Sequence, residues 1–446
     1  MKKFLKIALL LVLCYVIYFG YTTYPKLDLI SGFSAKSVAS CHFIDGRNLK
    51  SIESGDNAIN LIDLARNNID DAKNLATASV YGLKKRTAIY RQGLGATLIN
   101  DTFDVSKPYE TPKRNQVNNA LEYPFGTTEP KNFVSNEIDY SKLNVAIATA
   151  FDTKNEKIKN TRAVLILHKN KLIAEKYATG FDKNSKLLGW SMTKSITATY
   201  FGILQKQGKF DISKPAPIKE WQKDERAIIT TNDLLHMNSG LEWVEDYGSI
   251  CDATNMLFQD ADVTKSQIIK KAAFPPNLHW NYSSGTTNLL SGILRNQFKT
   301  HQEYLDFWYS ALIDKIGMHS MLIETDMSGN FIGSSYGWAT ARDWGKFGTL
   351  YLNKGNWNGE QIFDESWVKY VTTPTLNSNG DYGAHFWLNA GGYYKDAPKD
   401  LYSCNGYQGQ RVFIIPSLEL VIVRLGTSEV FDFNGFLRGI IGGLKR

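Results

Sequence analysis

Ser191 and Lys194 stand three residues apart in Gly189-Trp190-Ser191-Met192-Thr193-Lys194-Ser195, which opens a helix-like run to Gln207. On a helix that spacing puts both side chains on one face, with Cβ atoms about 5–6 Å apart. A serine hydroxyl is a poor nucleophile at neutral pH, and an amine whose pKa is lowered by burial can take its proton. N–H groups at a helix start add positive potential where an oxyanion forms. One short segment therefore offers a nucleophile, a base and part of an oxyanion hole.

The pattern is not specific alone, because Ser366-Trp367-Val368-Lys369 repeats it in what reads as a surface helix. Gly333-Ser334-Ser335-Tyr336-Gly337 matches the Gly-x-Ser-x-Gly elbow of α/β-hydrolases, with His385 downstream where a triad histidine would sit. An elbow needs its serine at a strand-to-helix corner, whereas Thr340 and Asp343 read as the cap of a helix starting several residues later. The alternating βα units of such a sheet are also missing upstream. His236 lies in an apolar helical segment and reads as a packed histidine. The seven histidines show no His-x-x-x-His spacing, and Gly93-Leu94-Gly95 lacks the third glycine and helix of a dinucleotide fingerprint. Neither a metal nor a cofactor is implied.

Four segments in order carry a family resemblance. The run from Ser191 through Gly202-Ile203-Leu204, Gly208-Lys209-Phe210-Asp211 and Pro215 resembles the active-serine helix of class C β-lactamases and their esterase relatives. Asp233-Leu234-Leu235-His236-Met237-Asn238-Ser239-Gly240-Leu241 resembles the family's Leu-Leu-x-x-x-Ser-Gly segment. Trp280-Asn281-Tyr282-Ser283-Ser284-Gly285 looks like its tyrosine motif, followed by Asn288-Leu289-Leu290-Ser291-Gly292. Asn405-Gly406-Tyr407-Gln408-Gly409-Gln410-Arg411 sits where the Lys-Thr-Gly strand belongs.

The resemblance implies an acyl-enzyme mechanism: Ser191 attacks a carbonyl, Lys194 and Tyr282 share the proton work, and Tyr282 as a phenolate activates the deacylating water. By the same mapping the backbone N–H groups of Ser191 and Gln410 form the oxyanion hole. Ser284, Tyr407, Gln408, Gly409 and Arg411 would meet the substrate. Two departures bear on substrate. Ser284 replaces the usual asparagine, and Tyr407 replaces the lysine that faces a substrate carboxylate, so a cationic anchor is lost unless Arg411 supplies it. Esters or linear amides are therefore expected ahead of β-lactams or D-alanyl peptides. Glu242-Trp243-Val244-Glu245-Asp246-Tyr247 further resembles family members that hydrolyse linear amides such as the 6-aminohexanoate dimer. A non-catalytic, penicillin-binding sensor is the alternative of a different class.

Hairpin signals position these residues. Ala163–His168 and Leu172–Ala178 flank a Lys169-Asn170-Lys171 turn, and Val412–Ile415 and Leu420–Val423 flank Pro416-Ser417. With helix-like stretches at Tyr140–Thr153, in the middle and at Phe433–Leu444, they predict an α+β, β-lactamase/transpeptidase-like fold: one antiparallel sheet flanked by helices, plus a helical region.

Ahead of that domain, Lys2, Lys3 and Lys6 precede an uncharged apolar run, Ile7–Tyr21. It reads as an export signal near the minimum that spans a bilayer, roughly 17 residues. Residues 1–22 are expected to be an uncleaved anchor, with the N-terminus cytoplasmic and the catalytic domain outside. Cleavage at Ser37-Val38-Ala39-Ser40-Cys41 is the competing outcome. Residues 23–139 form an extension of open role, and residues 140–446 the hydrolase domain. The four cysteines form no Cys-x-x-Cys pair; Cys251 and Cys404 are either joined or, with Cys14 and Cys41, free thiols. A formal charge of +7 is spread without the basic stripe that nucleic acid would need, leaving a small-molecule or peptide-like acyl compound as the expected partner.

Overall fold

Two larger sheets organise the chain in the computed structural model, which describes residues 2–116, 119–131, 133–153 and 158–445. The residues fall into two compact units. One comprises Met1–Lys107, Val244–Ala261 and Asp326–Ser328; the other comprises Pro108–Trp243, Asp262–Thr325 and Gly329–Arg446.

The first unit is a helix laid on a four-stranded antiparallel meander, β1 (Ala65–Asp70), β2 (Leu75–Val80), β3 (Leu83–Arg91) and β4 (Gly95–Ile99). The helix, α1, runs Lys2–Asp45, about 66 Å at 1.5 Å per residue. Its first half exposes Phe4, Leu9, Leu10, Leu11 and Phe19, and is long and apolar enough to cross a bilayer, with a mean hydropathy of 2.1 over 18 residues. Its second half buries Ser31, Ser34, Ala35, Val38 and Ala39 against a sheet face of Ala76, Ala78, Ala88 and Ala96. Small residues on both sides allow the close approach.

The helix therefore does not stop near residue 22. It continues as a structural element, because its polar second half carries a buried stripe of small residues. The alternative processing box lies inside that stripe, with Val38, Ala39, Ser40 and Cys41 all buried. Cutting there would strip the meander of its cover.

In the second unit the two hairpins join one antiparallel sheet. The helix α2 (Tyr140–Thr149) is followed by β5 (Thr161–His168) and β6 (Lys171–Tyr177), then by α3 (Thr193–Lys206), α4 (Ser284–Arg295) and α5 (Ala341–Leu352). The chain closes with β7 (Trp387–Leu388), β8 (Tyr402–Gly406), β9 (Gln410–Ile415), β10 (Leu420–Gly426) and α6 (Phe433–Ile441). The strand order is β7-β8-β9-β10-β5-β6. Lys169 and Asn170, with φ of 50° and 58°, make the two-residue turn between β5 and β6.

Period-two alternation divides the sheet into faces. Val164, Ile166, Phe413, Ile415, Leu420 and Ile422 pack with Leu143 and Ile147 of α2 and Phe436, Leu437 and Ile440 of α6. Helix α5 covers the other face. A Cβ on its Gly348 would lie 2.5 Å from Val421 and 2.9 Å from Val412, so only glycine permits this approach.

The hydrolase unit begins by compactness at Pro108 rather than at Tyr140. The described residues between 108 and 139 hold little regular structure but are anchored by side chains. Arg114 pairs with Asp314 at 2.7 Å and lies over the Tyr309 ring, and Tyr123 donates to the Arg342 carbonyl at 2.9 Å. Such anchoring leaves no periodic sequence signal. All four cysteines are free thiols.

Candidate active site

A single 3₁₀ turn, Trp190–Met192, feeds α3, so Ser191 precedes the helix while Lys194 sits in its first turn. Lys194 is buried, and its Nζ donates to Ser191 Oγ at 3.0 Å, Ser284 Oγ at 2.9 Å and the Ser334 carbonyl at 3.0 Å. Three acceptors match the three donors of an ammonium. The Tyr282 ring centroid lies 4.9 Å from the same Nζ. Ser283 fixes that approach: its hydroxyl caps α4 by accepting from Thr286 N at 2.9 Å, which makes Ser284 the first helical residue and leaves Tyr282 just ahead of it. Three of the sequence-predicted groups thus meet, brought from two distant segments.

The Gly333–Gly337 segment takes a different part from the one its motif suggests. Ser334 N donates to Asn288 Oδ1 at 3.1 Å, Gly333 O accepts from Thr197 Oγ1 at 2.9 Å, and Gly337 N donates to Thr193 Oγ1 at 2.9 Å. The strand Gly337–Ala339 follows, and α5 starts only at Ala341, capped by Thr340 accepting from Asp343 N. Ser335 is buried and no elbow forms. Its neighbour Ser334 supplies a carbonyl to Lys194, a backbone contribution that no side-chain pattern announces.

His385 is also beneath the site and not in it. Its Nδ1 donates to the Leu235 carbonyl at 2.6 Å, so Nε2 accepts from Thr287 Oγ1 at 3.0 Å. Burial, with Lys194 nearby, pushes its pKa down to about 3. His236 bonds Thr375 Oγ1 at 2.7 Å, and burial lowers it to about 4.

Aromatic rings cluster beside Ser191 and Tyr282. Trp190, in the left-handed region at φ 47°, lies 5.6 Å from both the Tyr336 and Tyr407 rings. A non-glycine residue there costs about 1–2 kcal/mol, and it sits immediately before the nucleophile. Tyr282 meets Trp387 at 5.4 Å and Tyr382 at 5.8 Å. Trp190, Tyr382 and Trp387 were not singled out in the sequence; their aromatic type was the only available signal.

The third motif differs most from expectation. Residues Tyr407–Gly409 form the turn between β8 and β9, with Gln408 at φ 58°. The turn packs on the nucleophile segment, since a Cβ on Gly406 would lie 2.1 Å from the Gly189 carbonyl. Gln408 N donates to the Glu429 carboxylate, and burial, then Glu429, raises the Tyr407 phenol. The Gln410 amide side chain turns back to Gly426 N and O and the Tyr407 carbonyl.

Arg411 and Ser284 are not placed as substrate contacts. Arg411 shares a sheet face with Phe413, stacks on Phe433 at 4.5 Å and donates to the Gly406 and Gln410 carbonyls. Ser284 is fully buried and occupied by Lys194. Gly409 points its carbonyl at Arg424, 2.9 Å away.

The family model Beta-lactamase matches residues 156–438, more than half the chain. The chain belongs to the beta-lactamase family. As a beta-lactamase-family serine hydrolase it is similar to the 6-aminohexanoate-dimer hydrolase of Paenarthrobacter ureafaciens, 22% identical over 337 residues, covering 68% of this chain and 82% of that one. Its fold is similar to that of a protein assigned as a 6-aminohexanoate-dimer hydrolase from Bacillus anthracis, with a TM-score of 0.57 and 19% identity, covering 71% and 87% of the two chains. It is also similar to a penicillin-binding protein homologue from Caulobacter crescentus, with a TM-score of 0.55 and 14% identity, covering 70% and 98%. This beta-lactamase-family member carries the family's antiparallel sheet with helices on both faces.

Proposed function

We propose that Ser191 is the nucleophile of an ester or linear-amide hydrolase tethered to a membrane by α1. The observation that carries the reading is the Lys194 ammonium position, 3.0 Å from Ser191 Oγ and 4.9 Å from the Tyr282 ring. Ser191 Oγ forms the bond to the substrate carbonyl carbon, and its proton passes to the Lys194–Tyr282 pair. The carbonyl π electrons move to oxygen, facing the Ser191 N–H at the start of the helical turn, whereas the Gln410 N–H points into the β8–β9 ladder toward the Gly406 carbonyl and is not available to it. Collapse breaks the bond to the leaving alcohol or amine, which takes the proton from the pair. Water then attacks the acyl-serine, with the pair accepting its proton and returning it to Ser191 Oγ as the acid leaves.

The substrate preference rests on the third motif. Tyr407 stands where family members carry a lysine, Glu429 adds a carboxylate beside it, and Arg411 lies on the opposite face of the sheet. The lysine that would meet a substrate carboxylate is replaced by a phenol, which disfavours β-lactams. The aromatic walls of Trp190, Trp387 and Tyr407 suit an uncharged acyl chain. The basic Lys2, Lys3 and Lys6 ahead of the apolar half of α1 support a cytoplasmic N-terminus and an external catalytic unit.

A panel of p-nitrophenyl esters, linear amides and a chromogenic cephalosporin tests the reading on the full chain in detergent. Esters or amides are expected to turn over, with loss in Ser191→Ala. Activity that survives Ser191→Ala, or a cephalosporin cleaved faster than every ester and amide, sinks it. Stable stoichiometric acylation without turnover would make the protein a sensor instead.

A further inference from the structure

The four-stranded meander of the first unit has one polar end and one apolar end. At the β1–β2 and β3–β4 turns Asp71, Lys73, Asn74 and Gln92 are exposed. At the opposite end the β2–β3 turn leaves Tyr81 73% and Leu83 47% exposed. Leu61 and Leu64, 45% and 39% exposed, lead into β1, whose Ala65 pairs with Val80 beside the same turn. Two of these side chains also strain the backbone, for Tyr81 and Leu61 lie in the left-handed region at φ 53° and 72°. A two-residue turn of this kind favours Asn, Asp or Gly at its first position, and a bulky side chain there is disfavoured. A large ring held at a strained position, with most of its surface in water, contributes little to the packing of this fold.

The contacts of α1 say which way the apolar end faces. Lys84 Nζ lies over the Tyr24 ring at 4.6 Å, and Arg86 pairs with Asp28 at 2.9 Å. Farther along, Tyr90 stacks on Phe43 at 5.4 Å, and Asp71 of the polar end meets His42 at 2.7 Å. Residue numbers thus rise together along β3 and α1, so the β2–β3 turn points toward the apolar half of the helix. From Lys84 to that turn is two to three residues, about 7–10 Å at the strand rise. The same length is about five to six residues of helix. Counted back from Tyr24, it brings the turn alongside Tyr18 and Phe19, at the end of the apolar run that closes with Tyr21.

A bilayer crossed by that run meets the turn at its interface. Tyrosine suits this depth, with its ring among acyl chains and its hydroxyl among headgroups. Lys26, Arg66, Lys84 and Lys85 flank the apolar end, against the carboxylate of Asp63, and this excess of positive charge complements lipid phosphates.

We infer that the β2–β3 turn, with Leu61 and Leu64 beside it, is a second membrane contact that inserts into the interface of an anionic bilayer. This rests on the reading of α1 as a membrane span. A single helix leaves the meander free to tilt and turn about the helix axis, and a second contact off that axis removes the freedom.

The test uses the full chain in nanodiscs of phosphatidylcholine and phosphatidylglycerol, carrying the environment-sensitive fluorophore NBD on one cysteine at a time. Cys14 lies in the apolar run and is the exposed native thiol, Cys41, Cys251 and Cys404 being buried. With Cys14→Ser as background, Tyr81→Cys reports the apolar end and Ala72→Cys the polar end. Iodide is expected to quench the label at position 81 about fivefold less than at position 72, as a group sunk into the headgroup layer requires. The shielding is expected to weaken in discs of phosphatidylcholine alone. Leu83→Cys repeats the measurement for the case in which the turn does not tolerate Tyr81→Cys, and adding Tyr81→Asp to it is expected to restore quenching. Equal quenching at the two ends overturns the inference. So does shielding at Leu83→Cys that Tyr81→Asp leaves untouched, because the label and not the turn would then seek the bilayer. Shielding that appears only when a disc holds more than one chain gives the surface to a second copy and overturns it too. If the label on Cys14 is itself quenched like that at position 72, α1 does not span the bilayer and the underlying reading fails instead.

Discussion

Two segments of this chain carry the same Ser-x-x-Lys spacing and end in opposite situations. Ser366 and Lys369 lie in the short helix Glu365–Val371, both exposed, with Trp367 between them turned into the core. Ser191 and Lys194 are joined at 3.0 Å, with the lysine buried and held by two further oxygens from α4 and the Ser334 peptide. Spacing alone puts two side chains on one face. What makes that face reactive is the second segment that covers it, and only α4 with Tyr282 and Ser284 does so. A third lysine sharpens the point. Lys36 in α1 is buried and bonded to Ser40 Oγ and the Ala96 carbonyl, yet Ser40 is itself buried, so that hydroxyl offers no route to a substrate.

The comparison is broken most severely at the hydroxyls. Ser191→Ala is expected to lower kcat for ester hydrolysis by about 10⁴–10⁶-fold and abolish fluorophosphonate labelling, while Ser366→Ala leaves both within about twofold. Equal losses in the two variants would mean that spacing, not cover, decides. The lysines come next. Lys194→Met is expected to cost about 10²–10⁴ in kcat, the range of a lost proton-transfer group, while Lys369→Met is expected to be silent. Steady-state kinetics on thermally intact variants separates these outcomes.

Ser284→Ala should be milder. It removes one of three acceptors around Lys194 without touching Ser191, and a fall of about 10–50-fold in kcat with an altered acid limb of the pH–rate profile is expected. A variant with unchanged kcat but raised KM would return Ser284 to the substrate-contact role that its place in the motif suggested.

Legibility followed the kind of interaction involved. The sheet was readable because alternating apolar runs and a two-residue turn at Lys169-Asn170 are local. The ends of α2 and α6, at Thr149 and Ile441 rather than Thr153 and Leu444, were less so. Beyond α2, Asp152 accepts N–H bonds from Ile158, Lys159 and Asn160, loop chemistry with no periodic signal. In the site, side chains in motifs were found and backbone groups were not: the Ser334 carbonyl lay inside a motif noticed for a different chemistry. Arg411 was misplaced because the Tyr407–Gly409 turn sets the parity of β9, and one residue of parity moves a side chain to the other face. Arg424 follows the apolar run Leu420–Val423, and apart from Thr161 Oγ1 its partners are carbonyls, which every residue has.

The smallest effect concerns stability, and it reaches only the covered segment. His385 lies beneath α3, its main-chain carbonyl accepting from Ser195 Oγ at 2.7 Å, and its imidazole is held neutral with a pKa of about 3 by burial; His236 is held near 4 for the same reason. Both folded values are depressed below the unfolded value of about 6.5. Above pH 6.5 neither group affects folding. As pH falls below it, the unfolded chain takes up protons that the folded chain refuses, so each histidine lowers stability by about 1.4 kcal/mol per pH unit. Both contribute down to about pH 4, and His385 alone from there to about pH 3. Denaturant titrations from pH 7 to 4.5 should show stability falling with pH, and His385→Gln should make the slope shallower by about 1.4 kcal/mol per pH unit. A slope unchanged by His385→Gln would mean that the imidazole is protonated in the fold, in which case the Thr287 and Leu235 contacts beneath Lys194 need reassignment.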